Sequence, residues 1–557
     1  MIIQPILDMV ALCAAKGITH AILSPGSRCA PISLAFARHP AIHARTISDE
    51  RSAAFIALGM AQQLEQPVVL VCTSGSAAYN YAPAVAEAFF QQIPLLVITA
   101  DRPSEWIDQW DGQTIRQANI YGKHVKATFD FPDEFSHQDK VWHANRICNE
   151  AINLANAFPA GPVHINIPLR EPFYPEIEEE YTFGQVRQIE HLEPLQVLSD
   201  TMLSQLKEKI RPFKRVLIVP GQQKPDAKLQ DILNGIAGEM KAVAVTDTIS
   251  NLQSEHSICF HDHFTGNPEF AELLKPDLVI SFGKSIISKN LKLFLRKSQA
   301  SHWHIVPQGY TPDTYQALNS IIHGDPVEVL GMLKDTLSSN QAFAEDWKAF
   351  DRKMRRQLPE ILAKAAFGEY QALHEVVQKI PAHAKLHVAN SMSIRYLNFL
   401  GPRPQEIICN RGTSGIDGSN STAVGCVFTT KDPVVLITGD MAFFYDRNAF
   451  WHNYPMNNLR IILLNNHAGG IFRLIDGPAK QPELEEFFET HQALTAEKLA
   501  EEYQMEYFQV KEKEGLESAL TTFFDKSLNP KILEIITESP KNAEILKWVK
   551  QETGKLI

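Results

Sequence analysis

Short apolar runs, each closed by Gly, Ser, Thr or Asn and followed by a longer stretch with helical spacing, recur along the whole chain. Ala21-Ile22-Leu23 leads into the turn Ser24-Pro25-Gly26-Ser27, and Pro67 to Cys72 ends in Thr73-Ser74-Gly75-Ser76. A helical stretch to Gln91 and a further run from Leu95 to Thr99 complete a strand–helix–strand pattern, which predicts a parallel sheet with crossover helices. Val163 to Pro168 reads as the last strand of this set. A second set comprises Val216 to Val219, Ala242 to Val245, Leu278 to Phe282 and His304 to Val306. A third comprises Leu386 to Val388, Val434 to Thr438, Ile461 to Leu464 and Ile532 to Ile536. The two middle runs of the third set are β-branched or aliphatic throughout, as in strands covered on both faces.

Two stretches break the rhythm. From Pro172 to about Asp200 the acidic cluster Glu176, Glu178, Glu179 and Glu180 gives way to polar sequence without periodicity, which predicts a solvated linker. Gln341 to Leu373 is charged and helical in pattern and is expected to bridge to the last set. The expectation is an α/β protein of three consecutive α/β domains with central, mostly parallel sheets, spanning residues 1–180, 181–345 and 346–557. No internal sequence repeat or low-complexity segment suggests a solenoid or a disordered arm.

Length agrees, since 557 residues exceed one core and a prior of roughly 150 residues per domain gives three or four. With 45% hydrophobic and 21% charged residues, nothing points to disorder, collagen or a coiled coil. The net charge of −11 argues against a nucleic-acid surface or an anionic membrane, so anionic substrates would need a locally basic pocket. Seven scattered cysteines without a C-x-x-C pair imply reduced thiols in a cytoplasmic protein. The start of the chain lacks an early basic residue and Asp8 interrupts its apolar stretch, which argues against a signal peptide. No apolar run approaches the roughly 20 residues that span a bilayer.

Chemistry concentrates at strand ends. Gly439-Asp440 closes one strand of the third set and Asn465-Asn466 closes the next, where ligands of parallel sheets bind. A carboxylate and a carboxamide oxygen from neighbouring strand ends form part of an oxygen shell for magnesium, the remainder coming from phosphate and water. Taken alone these dipeptides read equally well as turn formers. Gly469-Gly470 shifts the balance by giving the backbone freedom for close approach, with the carbonyl of Ala468 as a third ligand. Glu50, after Ile47-Ser48-Asp49 and before a helical stretch from Ser52 to Leu64, reads by itself as a solvated carboxylate at a helix start. Competing motifs fail: Leu278 stands where a P-loop ending in Gly283-Lys284-Ser285 needs glycine, and His374-Glu375 lacks the second histidine of a zincin. No Gly-x-Ser-x-Gly elbow occurs.

Together, the length, the early Glu50 and the Gly-Asp and Asn-Asn pairs resemble thiamine diphosphate-dependent enzymes of the 2-oxoacid decarboxylase and acetolactate synthase type. Within that superfamily, Ser24-Pro25-Gly26-Ser27-Arg28, Thr99-Ala100-Asp101-Arg102-Pro103, Gly112-Gln113-Thr114-Ile115-Arg116-Gln117 and the segment from Asn410 to Gly418 are similar to one family. It is that of the 2-succinyl-5-enolpyruvyl-6-hydroxy-3-cyclohexene-1-carboxylate (SEPHCHC) synthases of menaquinone biosynthesis. The resemblance runs from Ala21 to about Gly477, thinnest between residues 180 and 370. One departure is Met441, where many relatives in the superfamily have glycine after the aspartate.

The resemblance implies an N-terminal domain that binds the aminopyrimidine and a C-terminal domain that binds the diphosphate through Mg²⁺ or Mn²⁺. It implies decarboxylation of 2-oxoglutarate and conjugate addition of the resulting succinyl carbanion equivalent to isochorismate. Glu50 would be the catalytic residue, bonding a ring nitrogen of the cofactor, and Ile416 would hold the cofactor bent. Further cofactor contacts carried over are Ser74, Gly75, Ser391, Gly415, Asp417, Asp440, Met441, Ala442, Asn466, Ile471 and Phe472, with Asp440, Asn466 and Ala468 on the metal. Substrate contacts carried over are Ser27, Arg28, Arg102, Gln113, Lys289, Ser391, Arg395, Arg411 and Phe472. Arginine suits the planar carboxylates of two dicarboxylic substrates. The site is expected between subunits of a homodimer or homotetramer, with no nucleic-acid or membrane partner. The alternatives are another thiamine diphosphate-dependent carboligase or decarboxylase, which needs fewer arginines, and a catalytically silent relative.

Overall fold

Every apolar run named above becomes a strand, and the strands assemble into three sheets of six, five and six members. The computed structural model describes residues 2–176, 179–192 and 198–556; Glu178 of the acidic cluster lies outside them. The first sheet contains β1 (His20–Leu23), β2 (His43–Thr46), β3 (Val68–Cys72), β4 (Leu95–Asp101), β5 (Thr128–Asp130) and β6 (Pro162–Pro168), in the order β2-β1-β3-β4-β6-β5. The second contains β7 (Val216–Pro220), β8 (Val243–Ala244), β9 (Leu278–Phe282), β10 (Ser301–Val306) and β11 (Leu318–His323), in the order β11-β10-β9-β7-β8. The third contains β12 (Lys385–Val388), β13 (Glu406–Ile408), β14 (Val434–Gly439), β15 (Leu459–Asn465), β16 (Glu506–Val510) and β17 (Lys531–Ile536), in the order β13-β12-β14-β15-β17-β16. All strand pairs in the three sheets run parallel. The outer two sheets have the same topology, so the chain repeats a scaffold that its sequence does not visibly repeat.

The polar stretch after Pro172 is less solvated than its composition predicts. The Arg187 carbonyl accepts from Asn145 and Asn149 at 3.1 and 3.0 Å, and the Ile189 carbonyl accepts from Lys16 at 2.8 Å. Backbone groups make these attachments to the first domain, which is why the side-chain pattern does not announce them. The helical stretch after Gln341 is two helices, Gln341–Lys364 and Glu369–Val377. The first buries Phe343, Trp347, Met354, Leu358 and Leu362, and its Trp347 meets Phe264 and Phe294 of the middle domain edge-on.

Two helices seal the first domain to the third. Glu50–Leu64 crosses Ser419–Val427 so closely that a Cβ on Gly59 would lie 2.1 Å from the Thr422 carbonyl oxygen, and one on Gly425 would lie 2.1 Å from that of Ile56. Both obstacles are backbone, so neither can move aside cheaply. Gly59→Ala should therefore destabilise the fold by about 1–3 kcal/mol or more, as overpacking does, read as a lower urea midpoint; an unchanged midpoint would show that the helices part without cost. At the head of the same helix, Asp49 accepts from Ser52 N–H at 3.1 Å and from Asn448 Nδ2 at 2.7 Å. Among the described residues, no helix is long and apolar enough to cross a membrane.

Candidate active site

In a parallel sheet whose strand order reverses, the carboxyl ends flanking the reversal diverge and open a crevice. In the third sheet that crevice lies between β12 and β14. Asn390 and Ser391 follow β12, Asp440 follows β14 and Asn466 follows β15; all four line a cavity of about 620 Å³, a volume suited to a cofactor. Arg395, Arg411, Ile416, Met441, Ala442, Ala468, Ile471 and Phe472 line it as well. Gly415 adjoins it, its carbonyl accepting from Asn390 Nδ2 at 2.8 Å, with Asp417 beside it in the same loop. Non-glycine residues take left-handed backbone on or beside the rim, at Ser391 (φ 70°), Ser414 (φ 63°) and His467 (φ 60°), the kind of strain that gathers at binding sites. Gly470 is needed for closeness rather than for freedom: a Cβ there would stand 3.1 Å from Asn466 Nδ2 and 3.2 Å from Ser539 Oγ.

Asp440 opens the helix Asp440–Tyr445 and is 2% exposed. Burial pushes its carboxyl up to about 6, against hydrogen bonds led by that from Gln492 Nε2 to Oδ2 at 2.8 Å. Among the described residues, no lysine, arginine or histidine pairs with it, and no three His, Cys, Asp or Glu side chains converge on any point. A cation here would have mixed oxygens instead: the Asp440 carboxylate, Asn466 Oδ1 and the Ala468 carbonyl. That hard donor set, open to one side for phosphate and water, fits magnesium or manganese. Asn466 Oδ1 accepts from Ala468 N–H at 3.0 Å, and its Nδ2 donates to Glu369 Oε1 at 2.6 Å.

Positive charge gathers on the opposite wall. Arg395 Nη1 donates to the Ser391 carbonyl at 2.6 Å and Arg411 Nη1 to Asn390 Oδ1 at 2.8 Å, so both are held by neutral acceptors. Lys292 joins them: burial first, then Arg411, lowers its pKa, and Arg395 contributes too. Among the described residues, none of the three forms an ion pair, although Asp247 lies near enough to act on Lys292 and Asp262 on Arg395; clustered, partly buried cations without a paired carboxylate suit an anion. Lys289 stands exposed at the first turn of the helix Lys289–Ser298, three residues before Lys292. The helix Met392–Phe399 that carries Arg395 is anchored by Asn398, which donates to Asp262 at 2.9 Å and accepts from Thr248 N–H at 2.9 Å.

The loop bearing Arg411 and Ile416 is fixed by a residue far away in sequence. Glu87 is 1% exposed and accepts from Gly412 N–H at 2.7 Å and from Thr413 N–H and Oγ1 at 2.6 Å. One carboxylate thus replaces the backbone pairing that this loop lacks.

The remaining candidates occupy the equivalent strand ends of the first sheet. Ser27 and Arg28 follow β1, Glu50 opens its helix, Ser74 and Gly75 follow β3, and Arg102 follows β4. Arg28 is 7% exposed, donates to the Leu169 carbonyl at 2.6 Å and lies over Phe173. Arg102 pairs with Asp111 at 3.0 Å and donates to the Gly112 carbonyl at 2.7 Å, beside Gln113 (φ 55°). Gln117, which closes the motif from Gly112 but is not among the expected contacts, fixes Gly75 by accepting its N–H at 2.8 Å. None of these residues lines the cavity described above, whose walls come only from Glu369 onward. One chain therefore carries two half-sites that it does not bring together. In the middle sheet the ends of β7 and β9 approach closely, a Cβ on Gly221 falling 1.9 Å from the Lys284 carbonyl oxygen.

Two like-folded outer domains, one presenting a hard-cation oxygen set and the other a carboxylate at a helix head, define a thiamine diphosphate enzyme. Residues 8–120 match the N-terminal thiamine pyrophosphate-binding domain of such enzymes, 192–388 their middle domain and 390–535 their C-terminal thiamine pyrophosphate-binding domain. The chain is 48% identical over 558 residues to the 2-succinyl-5-enolpyruvyl-6-hydroxy-3-cyclohexene-1-carboxylate synthase of Cytophaga hutchinsonii, covering 98% of each. Proteins of the same name from Christiangramia forsetii (38% over 570 residues, 97% of each chain) and Porphyromonas gingivalis (39% over 548 residues, 96% and 94%) are similar over the same span. The chain belongs to the SEPHCHC synthase family.

Proposed function

We propose that this chain decarboxylates 2-oxoglutarate and transfers the resulting succinyl unit to the ring alkene of isochorismate, releasing carbon dioxide and SEPHCHC in menaquinone biosynthesis. The observation that carries this choice is the pair Arg395 and Arg411, which share the cavity with the hard-cation oxygens and form no ion pair among the described residues, with Lys292 close enough to feel both. A decarboxylase of a monocarboxylic oxoacid has no use for so much positive charge. Thiamine diphosphate, when bound, supplies the electron sink that stabilises the acyl carbanion.

The chain's own groups bind, orient and hold protons. Asp440, Asn466 and the Ala468 carbonyl would hold Mg²⁺ or Mn²⁺, and Ile416, on the cavity wall, would pack on the cofactor. Glu50 holds a proton at the aminopyrimidine ring nitrogen. Arg395 and Arg411, with Ser391 and Phe472, receive one substrate's carboxylates, each charge-assisted bond contributing about 1.5–3 kcal/mol. Ser27, Arg28, Arg102 and Gln113 supply the other carboxylate contacts from the N-terminal half-site, with Lys289 at the edge. Lys292→Ala should raise the KM of the carboxylate substrate about tenfold with little change in kcat, the loss expected for one such bond. An unchanged KM would remove Lys292 from the site.

Because one chain does not bring its two half-sites together, the working unit is a homodimer or a homotetramer of such dimers, with the N-terminal half-site of one copy closing the cavity of another. Exposed Trp110, Trp451 and Phe487 supply apolar surface for that contact. Seven free cysteines support a cytoplasmic setting. The domain limits proposed are near residues 180 and 345. The deciding assay follows isochorismate consumption. It should require 2-oxoglutarate, thiamine diphosphate and magnesium together; carbon dioxide release with no isochorismate uptake would leave a simple decarboxylase.

A further inference from the structure

A carboxamide is nearly symmetric in shape but not in chemistry, since a cation accepts its oxygen and rejects its nitrogen. Something must decide which end of Asn466 faces the metal position. On one side Asn466 Oδ1 accepts from Ala468 N–H at 3.0 Å; on the other, Nδ2 donates to Glu369 Oε1 at 2.6 Å. Rotating the amide by half a turn would set oxygen against a carboxylate and NH₂ against an N–H, so both contacts would become repulsive together. Glu369 is itself immobile: it is 3% exposed, opens the helix Glu369–Val377, and its backbone N–H donates to Asn542 Oδ1 at 3.0 Å. It lines the cavity.

Resting on the assignment of Asp440, Asn466 and Ala468 as cation ligands, we propose that Glu369 is a positioning residue: its Oε1, by accepting from Nδ2, locks the Asn466 carboxamide with its oxygen toward the metal. Part of the cation affinity then resides in a side chain that does not touch the cation. Partners that orient a metal ligand from behind typically account for 10- to 100-fold in affinity. Carboxylate is required for this role because glutamine presents a donor as readily as an acceptor, and aspartate, one methylene shorter, withdraws the acceptor from reach.

The test is a magnesium titration by calorimetry at fixed thiamine diphosphate, with turnover measured alongside. Glu369→Gln and Glu369→Asp should both bind Mg²⁺ about 10- to 100-fold more weakly. Turnover at saturating Mg²⁺ should stay close to that of the unaltered protein. The exchange Glu369→Gln with Asn466→Asp restores a donor facing an acceptor at the same net charge, and its Mg²⁺ affinity should recover most of the loss. Full affinity in Glu369→Asp would show that charge, not orientation, is what matters, and would overturn the proposal. So would unchanged affinity in Glu369→Gln, a loss that saturating Mg²⁺ does not repair, or an exchange variant no better than Glu369→Gln. Asp440→Ala in the same titration separates two failures: if it too binds Mg²⁺ normally, the ligand assignment falls, whereas a loss there with none at Glu369 leaves the ligands standing and removes only the positioning role.

Discussion

Replacing Glu50 by glutamine should leave thiamine diphosphate and magnesium binding near normal while lowering turnover by about 10²- to 10⁴-fold, the contribution of a positioned proton-transfer group. The local structure explains why the effect would be chemical. Glu50 is half-buried at the first position of its helix, and the cap is made by Asp49, which keeps its bonds to Ser52 and Asn448 in the variant. Glycine-mediated packing further along fixes the helix against the third domain. Glutamine therefore occupies the same space on the same support, with an amide where the mechanism needs a carboxyl. Calorimetry for cofactor affinity and stopped-flow turnover on one preparation would separate the two quantities. Near-normal turnover would remove Glu50 from the chemistry.

Asp440→Ala should do the reverse, weakening magnesium-dependent cofactor binding by roughly 100-fold or more, since a ligand matters at least as much as the groups behind it. Asp440 is the one full negative charge proposed for the cation shell, and it is 2% exposed with no basic partner among the described residues. The Gln492 amide that now donates to it would lose its acceptor, so part of the damage would be to the loop that Gln492 supports. Raising magnesium and cofactor concentration should recover much of the turnover, which distinguishes a binding defect from a chemical one. Unchanged affinity for the metal–cofactor pair would contradict the assignment.

The interior of the fold was legible because its physics is local. Strands such as β14 and β15, covered on both faces, must be apolar at every position, and they stand out at once. The strands that escaped notice, β2, β5, β11, β13 and β16, are all at sheet edges. Most of their residues are half-exposed or exposed, and β13, largely buried, is only three residues long, so too little apolar pattern remains to read. The site divides the same way. Asp440 and Asn466 sit at strand ends that the pattern marks. Glu369, Gln492, Glu87 and Lys292 act through partners brought near only by the fold: Glu87 reaches across 325 positions to Gly412. The acidic stretch misled for a related reason, since several of its attachments are made by backbone groups, which every residue has, beside Tyr181 and Phe183, which meet Arg38 and His39.

The two half-sites that one chain keeps separate have a consequence best put genetically. Where copies pair as proposed, a lesion at Glu50 damages only the site to which that chain lends its first domain, and a lesion at Asp440 only the site to which it lends its third. Two alleles, each null alone, can then complement, because in the mixed pair one crevice inherits both faults and the other inherits none.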